Sequence, residues 1–199
     1  MGFGLYKAAC DVMRVIYNVL YPVRVEGLEN VPPEGGCVIC SNHLSARDPI
    51  YIAVRVRNRH IHFMAKSELY KFKPLGALLK GLLAFPVDRG HNDLNAVRTA
   101  LKLIADGHVL GVFPQGTRSR DNTPTPMLNG VSMIALRAQR PVIPVYIGGP
   151  YRPFRRTPLR FGAPVDLSDF GRRMDGETLT AATHRIEEAI WSMRDGGSL

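Results

Sequence analysis

The stretch Gly36-Cys37-Val38-Ile39-Cys40-Ser41-Asn42-His43-Leu44-Ser45-Ala46-Arg47-Asp48-Pro49-Ile50 decides how this chain folds. Residues 36–41 are a short apolar run rich in β-formers, which predicts a buried strand. Asp48-Pro49 predicts a helix start, because Asp is a favoured N-cap and Pro has its φ preset for the first helical position. The helix should then run over 50–58. A strand, a short polar loop and a helix make one unit of an α/β layer structure.

The unit recurs on both sides of this stretch. Strands are expected over 23–26, 60–66, 83–87, 108–113 and 142–147, with a further one over 159–167. Helices are expected over 67–82 in two pieces broken at Pro74, over 92–105 with Asn92 or Asp93 near its cap and Gly107 closing it, over 130–139, and over 177–194. Strands alternating with helices predict an α/β fold with a mostly parallel central sheet flanked by helices. Residues 3–20 carry apolar side chains at helical spacing and form an N-terminal amphipathic helix ending before Pro22. No repeat or linker divides the remainder of the chain, so residues 1–22 are read as that helix and 23–199 as a single α/β domain.

The chain of 199 residues has an ordinary apolar fraction of 45%, enough for a core, but its formal net charge is +9. Residues 61–90 carry 5 basic side chains against 2 acidic, and residues 91–150 carry 6 against 3. That field favours anionic partners. Nucleic acid is the weaker choice, since no nucleic-acid motif is present and the aromatic content of 8% shows no stacking pattern. Three cysteines, Cys10, Cys37 and Cys40, are too few and too odd for a disulfide framework. Cys37 and Cys40 with His43 resemble part of a zinc site, but residues three apart on a strand face opposite ways, and no second ligand pair follows. No metal is therefore expected. No apolar run reaches the ~18 residues of a spanning helix, and the start lacks a signal-peptide pattern.

Each chemistry-bearing segment follows an expected strand. His43 and Asp48 follow 36–41, Asp88-Arg89 follows 83–87, and Gln115-Gly116-Thr117-Arg118 follows 108–113. In open α/β sheets ligands bind beyond the carboxyl ends of the strands. His43 is a base near neutral pH, and Asp48 could orient its imidazole or merely cap the helix. The second loop offers an open glycine turn, hydroxyls and guanidiniums, which suit a phosphate. No G-x-S-x-G elbow is present, and no cysteine lies in an activating context. Direct activation of a substrate hydroxyl is what remains.

Four ordered blocks now carry a resemblance: Asn42-His43-x-x-x-x-Asp48-Pro49, Phe85-Pro86-Val87-Asp88-Arg89-Gly90, Phe113-Pro114-Gln115-Gly116-Thr117-Arg118-Ser119 and Val142-Ile143-Pro144-Val145. Together they resemble the glycerolipid acyltransferases, in particular the bacterial 1-acyl-glycerol-3-phosphate acyltransferases (lysophosphatidic acid acyltransferases), over roughly residues 23–165. The resemblance implies acyl transfer from a thioester, acyl-CoA or acyl carrier protein, to the hydroxyl of lysophosphatidic acid. It implies no cofactor, no metal and no acyl-enzyme. His43 would be the base and Asp48 its partner. Arg89 and Arg118 would hold the phosphate, with Gly116 and Thr117 shaping the loop. Asn42 and Gln115 would support the site, and Pro144 would form its apolar wall. Lys66 matches a position often basic in the family, where a phosphate contact and simple exposure both remain open. One departure stands out: the family usually has Glu where this chain has Gln115.

On the sequence alone, two rivals remain. One is an acyltransferase with another lyso-lipid or glycolipid acceptor, and the other is a non-catalytic basic module. The expected location is the cytoplasmic face of the cell membrane, bound peripherally or monotopically to an anionic surface. The N-terminal helix, residues 71–83 and Arg152-Pro153-Phe154-Arg155-Arg156 are the candidate contacts, each equally readable as ordinary protein surface.

Overall fold

The computed structural model describes residues 2–57, 59–88, 93–119 and 121–195, apart from the side chains of Gly2, Phe3 and Leu5. Helix α1 (Gly2–Leu20) leads into β1 (Val23–Glu26) and β2 (Cys37–Ser41). Next come α2 (Asp48–Ala53), β3 (Ile61–Lys66), α3 (Lys73–Gly81), β4 (Phe85–Val87), α4 (Leu94–Ala105) and β5 (Val109–Val112). The chain continues through α5 (Gly130–Ala138), β6 (Val142–Ile147), β7 (Thr157–Phe161) and α6 (Gly176–Trp191).

The strands form one sheet in the order β1-β7-β6-β2-β5-β3-β4. Among the described residues only β6 and β7 run antiparallel, and every other pair is parallel. The alternation of side chains along each strand splits the core in two. Cys37, Ile39, Ile61, Phe63, Ile143 and Val145 face Ile52 and Ala53 of α2 and Tyr6 of α1. Val38, Cys40, Leu110, Val112 and Tyr146 face Ala100 and Ile104 of α4, Ile134 of α5 and Ile186 of α6. The result is a three-layer α/β/α structure, with the carboxyl ends of β2, β3, β4, β5 and β6 on one edge. The two neighbouring cysteines are buried on opposite faces, and burial pushes both thiols up, to about 11 for Cys37 and higher for Cys40.

Several boundaries differ from the sequence expectation. The helix after His43 stops at Ala53. Pro74 does not break a helix; it sits in the first turn of α3, where its missing N–H costs nothing, and the interruption falls after a 3-10 turn over Ser67–Tyr70. Leu83 takes a φ of +62°, so the chain turns there and β4 begins at Phe85. The last strand runs Thr157–Phe161 because it is the segment that pairs with β1 and β6.

Helix α1 resolves the choice its pattern left open in an unexpected way. Its aromatic Tyr6 and Tyr17 are turned inward. The Tyr6 hydroxyl accepts the Ile61 N–H at 3.2 Å, and Tyr17 packs edge-on against Tyr51. The aliphatic Val12, Val15 and Val19 point outward, each 60–63% exposed. Tyr6 and Tyr17 therefore pack on the domain, and the face of α1 left outward is aliphatic.

Candidate active site

Between β2 and α2 the chain makes a short loop that folds back on Asp48. The carboxylate is fully buried and its Oδ2 accepts three hydrogen bonds: from His43 Nδ1 at 2.7 Å, Leu44 N–H at 2.6 Å and Ser45 N–H at 2.8 Å. The helix-capping role expected of Asp48 is not the one it plays. Arg47 occupies the N-cap with no side-chain bond, Asp48 is the first helical residue, and its side chain reaches back to the loop. A carboxylate bonded at Nδ1 holds the imidazole proton there and leaves Nε2 as the lone-pair nitrogen. Nε2 has no protein partner among the described residues. The ring is further fixed by Phe113, stacked on it with centroids 4.3 Å apart and planes 24° apart. Phe113 in turn stacks on Phe63, whose ring lies over Gly111 on the neighbouring strand. A Cβ at Gly111 would come within 2.3 Å of that ring, so only glycine leaves room for the stack.

The loop after β5 is clasped to this one by two hydrogen bonds. The His43 N–H donates to Gln115 Oε1 at 2.8 Å, and the Ser119 N–H donates to the His43 carbonyl at 2.8 Å. Between these contacts Gly116 turns the chain at a φ of +69°, a conformation that side chains with a Cβ resist. Thr117 and Arg118 beyond it are exposed. The Arg118 guanidinium has no protein partner among the described residues, and it belongs to the loop clasped to that of His43. The second arginine expected in this role, Arg89, lies outside the described residues.

Gln115 is buried, and its function is visible in the bond it makes. Its amide oxygen accepts a backbone N–H, which needs no negative charge, while its Nε2 has no partner among the described residues. Gln115→Glu supplies an equivalent acceptor to the same N–H. It is therefore expected to change turnover less than about tenfold in a steady-state transfer assay, a difference of about 1.4 kcal/mol. A gain of a hundredfold would mean that the carboxylate charge has a role the amide cannot fill.

Three further residues fall where their local structure sends them. Asn42 is wholly engaged as a brace: its side chain exchanges two bonds with the Ile147 main chain, at 2.8 and 2.9 Å, and donates to Asn122 at 3.1 Å. It ties the end of β2 to the end of β6 just before His43. Lys66 ends β3, two strands from β2, and its ammonium pairs with Glu68 at 2.8 Å. Pro144 is not at the edge. It lies inside β6 opposite Cys40, and its ring packs toward Gly162. Its carbonyl accepts the Gly162 N–H, so its missing donor falls beyond the last pair of the β6–β7 ladder. Pro144 contributes to sheet packing rather than to a wall of the site.

One residue escaped sequence reasoning. The Tyr151 hydroxyl donates to Asp48 Oδ1 at 2.7 Å from 103 positions away. Burial, and then the Asp48 charge, hold its phenol well above the ordinary tyrosine range, so it stays a donor. The available signal was its place in the loop after β6, as His43 and Gln115 lie in the loops after β2 and β5. A shallow depression of about 750 Å³ runs along α6, lined by Phe170, Glu177, Thr180, His184 and Arg185, but it contains none of the motif residues.

Comparison with known proteins places this geometry in context. Residues 22–148 match the model of the Acyltransferase family. The chain is 32% identical over 191 residues to the 1-acyl-sn-glycerol-3-phosphate acyltransferase of Bacillus subtilis, covering 94% of this chain and 95% of that one. It is 27% identical over 183 residues to the enzyme of the same name from Streptococcus pneumoniae, covering 88% of this chain and 67% of the other. The crystal structure of the 1-acyl-sn-glycerophosphate (LPA) acyltransferase of Thermotoga maritima shares its fold, with a TM-score of 0.68 and 24% identity over 95% of this chain and 78% of that one.

Proposed function

The chain belongs to the Acyltransferase family, and from that premise we propose that it transfers an acyl group from a thioester to the free hydroxyl of lysophosphatidic acid, giving phosphatidic acid. The reading rests on one observation above the others: a buried His43–Asp48 pair clasped by two hydrogen bonds to the glycine turn that carries the exposed Arg118. The names of the relatives supply the acceptor, and the juxtaposition of base and cation suits a molecule carrying both a hydroxyl and a phosphate.

In the proposed reaction His43 Nε2 takes the proton of the acceptor hydroxyl as its oxygen attacks the thioester carbonyl. The tetrahedral oxyanion collapses, the C–S bond breaks, and the thiolate leaves with the proton that the imidazolium returns. Asp48 stabilises the imidazolium between these steps. The donor is acyl-CoA or acyl carrier protein, both anionic and both suited to a chain of net charge +9. The reaction as proposed requires no metal or other cofactor. Thioester release measured with lysophosphatidic acid, beside a no-acceptor control, tests it. Release equal in both arms would make the protein a thioesterase, and transfer only to phosphate-free acceptors would reassign the acceptor.

No helix among the described residues is long and apolar enough to cross a membrane. The proposed location is an anionic bilayer surface. Val12, Val15 and Val19 project from α1, against which α3 packs with Phe72 and Leu78 exposed. The Phe154 N–H donates to the Leu20 carbonyl at 2.8 Å, which brings that exposed ring to the end of α1. Lys71, Lys73, Lys80, Arg152, Arg155 and Arg156 are all exposed around this patch. Each basic residue near such a surface contributes about 1 kcal/mol. Replacing Val12, Val15 and Val19 together by Asp is expected to lower partitioning onto phosphatidylglycerol vesicles at least about tenfold in a sedimentation assay. Unchanged partitioning would move the contact elsewhere.

A further inference from the structure

Asp48 has two oxygens and very unequal support for them. Oδ2 receives three donors, all from within five residues. Oδ1 receives one, the Tyr151 hydroxyl, which arrives from the loop after β6. We infer that Tyr151 is a positioning residue for the His43–Asp48 pair: its hydroxyl fixes the rotation of the carboxylate and shares its charge, and so sets how strongly His43 holds a proton. This inference rests on the reading of His43 as the base.

Three observations carry it. The bond is short, at 2.7 Å, and its acceptor residue is fully buried, so no water competes for Oδ1. The donor itself is rigidly held. Its ring stacks on Tyr51 with centroids 4.0 Å apart and planes 6° apart, and Tyr51 is met edge-on by Tyr17 of α1 at 4.7 Å. Finally, the arrangement crosses three elements: Asp48 and Tyr51 belong to α2, Tyr17 to α1, and Tyr151 to the loop after β6. The stacked rings thus tie the loop after β6 to α2 and α1 and hold the Tyr151 hydroxyl against Oδ1. The rotation of a carboxylate about its terminal bond is otherwise soft, and the imidazole it holds is the group that must stay aligned through the reaction.

The charged and titratable groups that face this cluster are Tyr51, Tyr17 and Tyr21, with Arg47 over the Tyr21 ring at 4.6 Å and Arg55 behind Tyr51. Burial holds the Tyr51 phenol above its usual range, as it does that of Tyr17. Neither tyrosine titrates where the base works. A pH effect of removing the Tyr151 hydroxyl therefore reports on the His43–Asp48 pair.

The sign is determined by charge sharing. A carboxylate that donates part of its electron density to a phenol O–H attracts an imidazolium less strongly. Removing that hydroxyl concentrates the charge on the pair, the imidazolium is favoured, and the base becomes protonated at higher pH. Tyr151→Phe is expected to move the acidic limb of the kcat/KM profile upward by at least about half a pH unit, equivalent to about 0.7 kcal/mol. It should lower kcat at neutral pH at least about fivefold, with KM for lysophosphatidic acid within about twofold. Tyr51→Phe, which keeps the stacked ring and the Tyr151–Asp48 bond, should leave the pH profile in place. Thermal melts of both variants exclude unfolding. An unmoved acidic limb in Tyr151→Phe, or equal shifts in both variants, overturns the inference. Failure of the wild-type protein to transfer acyl groups at all would instead defeat the reading on which it rests, so the two failures are separable.

Discussion

His43→Ala is expected to lower lysophosphatidic acid-dependent thioester release by about 10²- to 10⁴-fold, the range that a positioned general base contributes, while leaving the fold in place. The second half of that expectation comes from the structure. The contacts that clasp the two site loops use the His43 N–H and carbonyl, which alanine retains. Asp48 loses one donor but keeps the Leu44 and Ser45 N–H groups and the Tyr151 hydroxyl, so its charge is not stranded. The imidazole's stacking on Phe113 is lost, and a melting temperature lower by a few degrees is expected from that cavity. Measured turnover within threefold of wild type would show that another group removes the proton.

Two replacements of Asp48 should separate its charge from its hydrogen bonds. In Asp48→Asn the amide oxygen must take the Oδ2 place, because three N–H donors converge there. The amide NH₂ then faces Tyr151, whose hydroxyl is able to turn and accept instead of donate. The three donors at the Oδ2 place remain paired, and stability is expected to change by about 1 kcal/mol. The imidazolium loses its counter-charge, and turnover is expected to fall by about 10²- to 10⁴-fold. Asp48→Ala removes the acceptor altogether and leaves the His43 ring N–H, two backbone N–H groups and a phenol unpaired. It should cost on the order of 3 kcal/mol of stability in addition to the activity. Urea unfolding of the two variants beside their turnover checks the contrast. Equal destabilisation would mean that Asp48 serves the loop through its charge and not through the shape of its acceptor set.

The sheet was readable because its physics is local. Apolar runs such as 36–41 and 142–147 have a period and length that only a buried strand accommodates, and each is bounded by turn-forming residues. The motifs were readable for a related reason: each follows a strand directly, so a parallel sheet carries them to one edge. The errors cluster where a local rule was overridden by a distant partner. Asp48 had every mark of an N-cap, yet three loop donors and Tyr151 displaced the first-turn N–H groups from its oxygens. The pattern of α1 left surface and membrane contact both open, and only the fold turns Tyr6 and Tyr17 to the Ile61 N–H and the Tyr51 ring. Pro144 belongs to a recognisable block, but the block is a strand interior, and only the sheet register places Pro144 opposite Cys40. Tyr151 had no partner that its neighbours in sequence could reveal.

The sequence by itself determined the α/β order of elements, the placing of His43 and Asp48 on either side of one short loop, and the glycine turn that carries Arg118. Those properties depend on side-chain period, on turn chemistry and on residues close enough in the chain to meet across a single loop. The tertiary structure alone decided which donors fill the two oxygens of Asp48, that Gln115 serves through its amide oxygen, and that a tyrosine 103 positions away completes the pair. A buried carboxylate has to collect donors from whatever elements packing brings to it, and that supply depends on the order of strands in the sheet rather than on the order of residues in the chain.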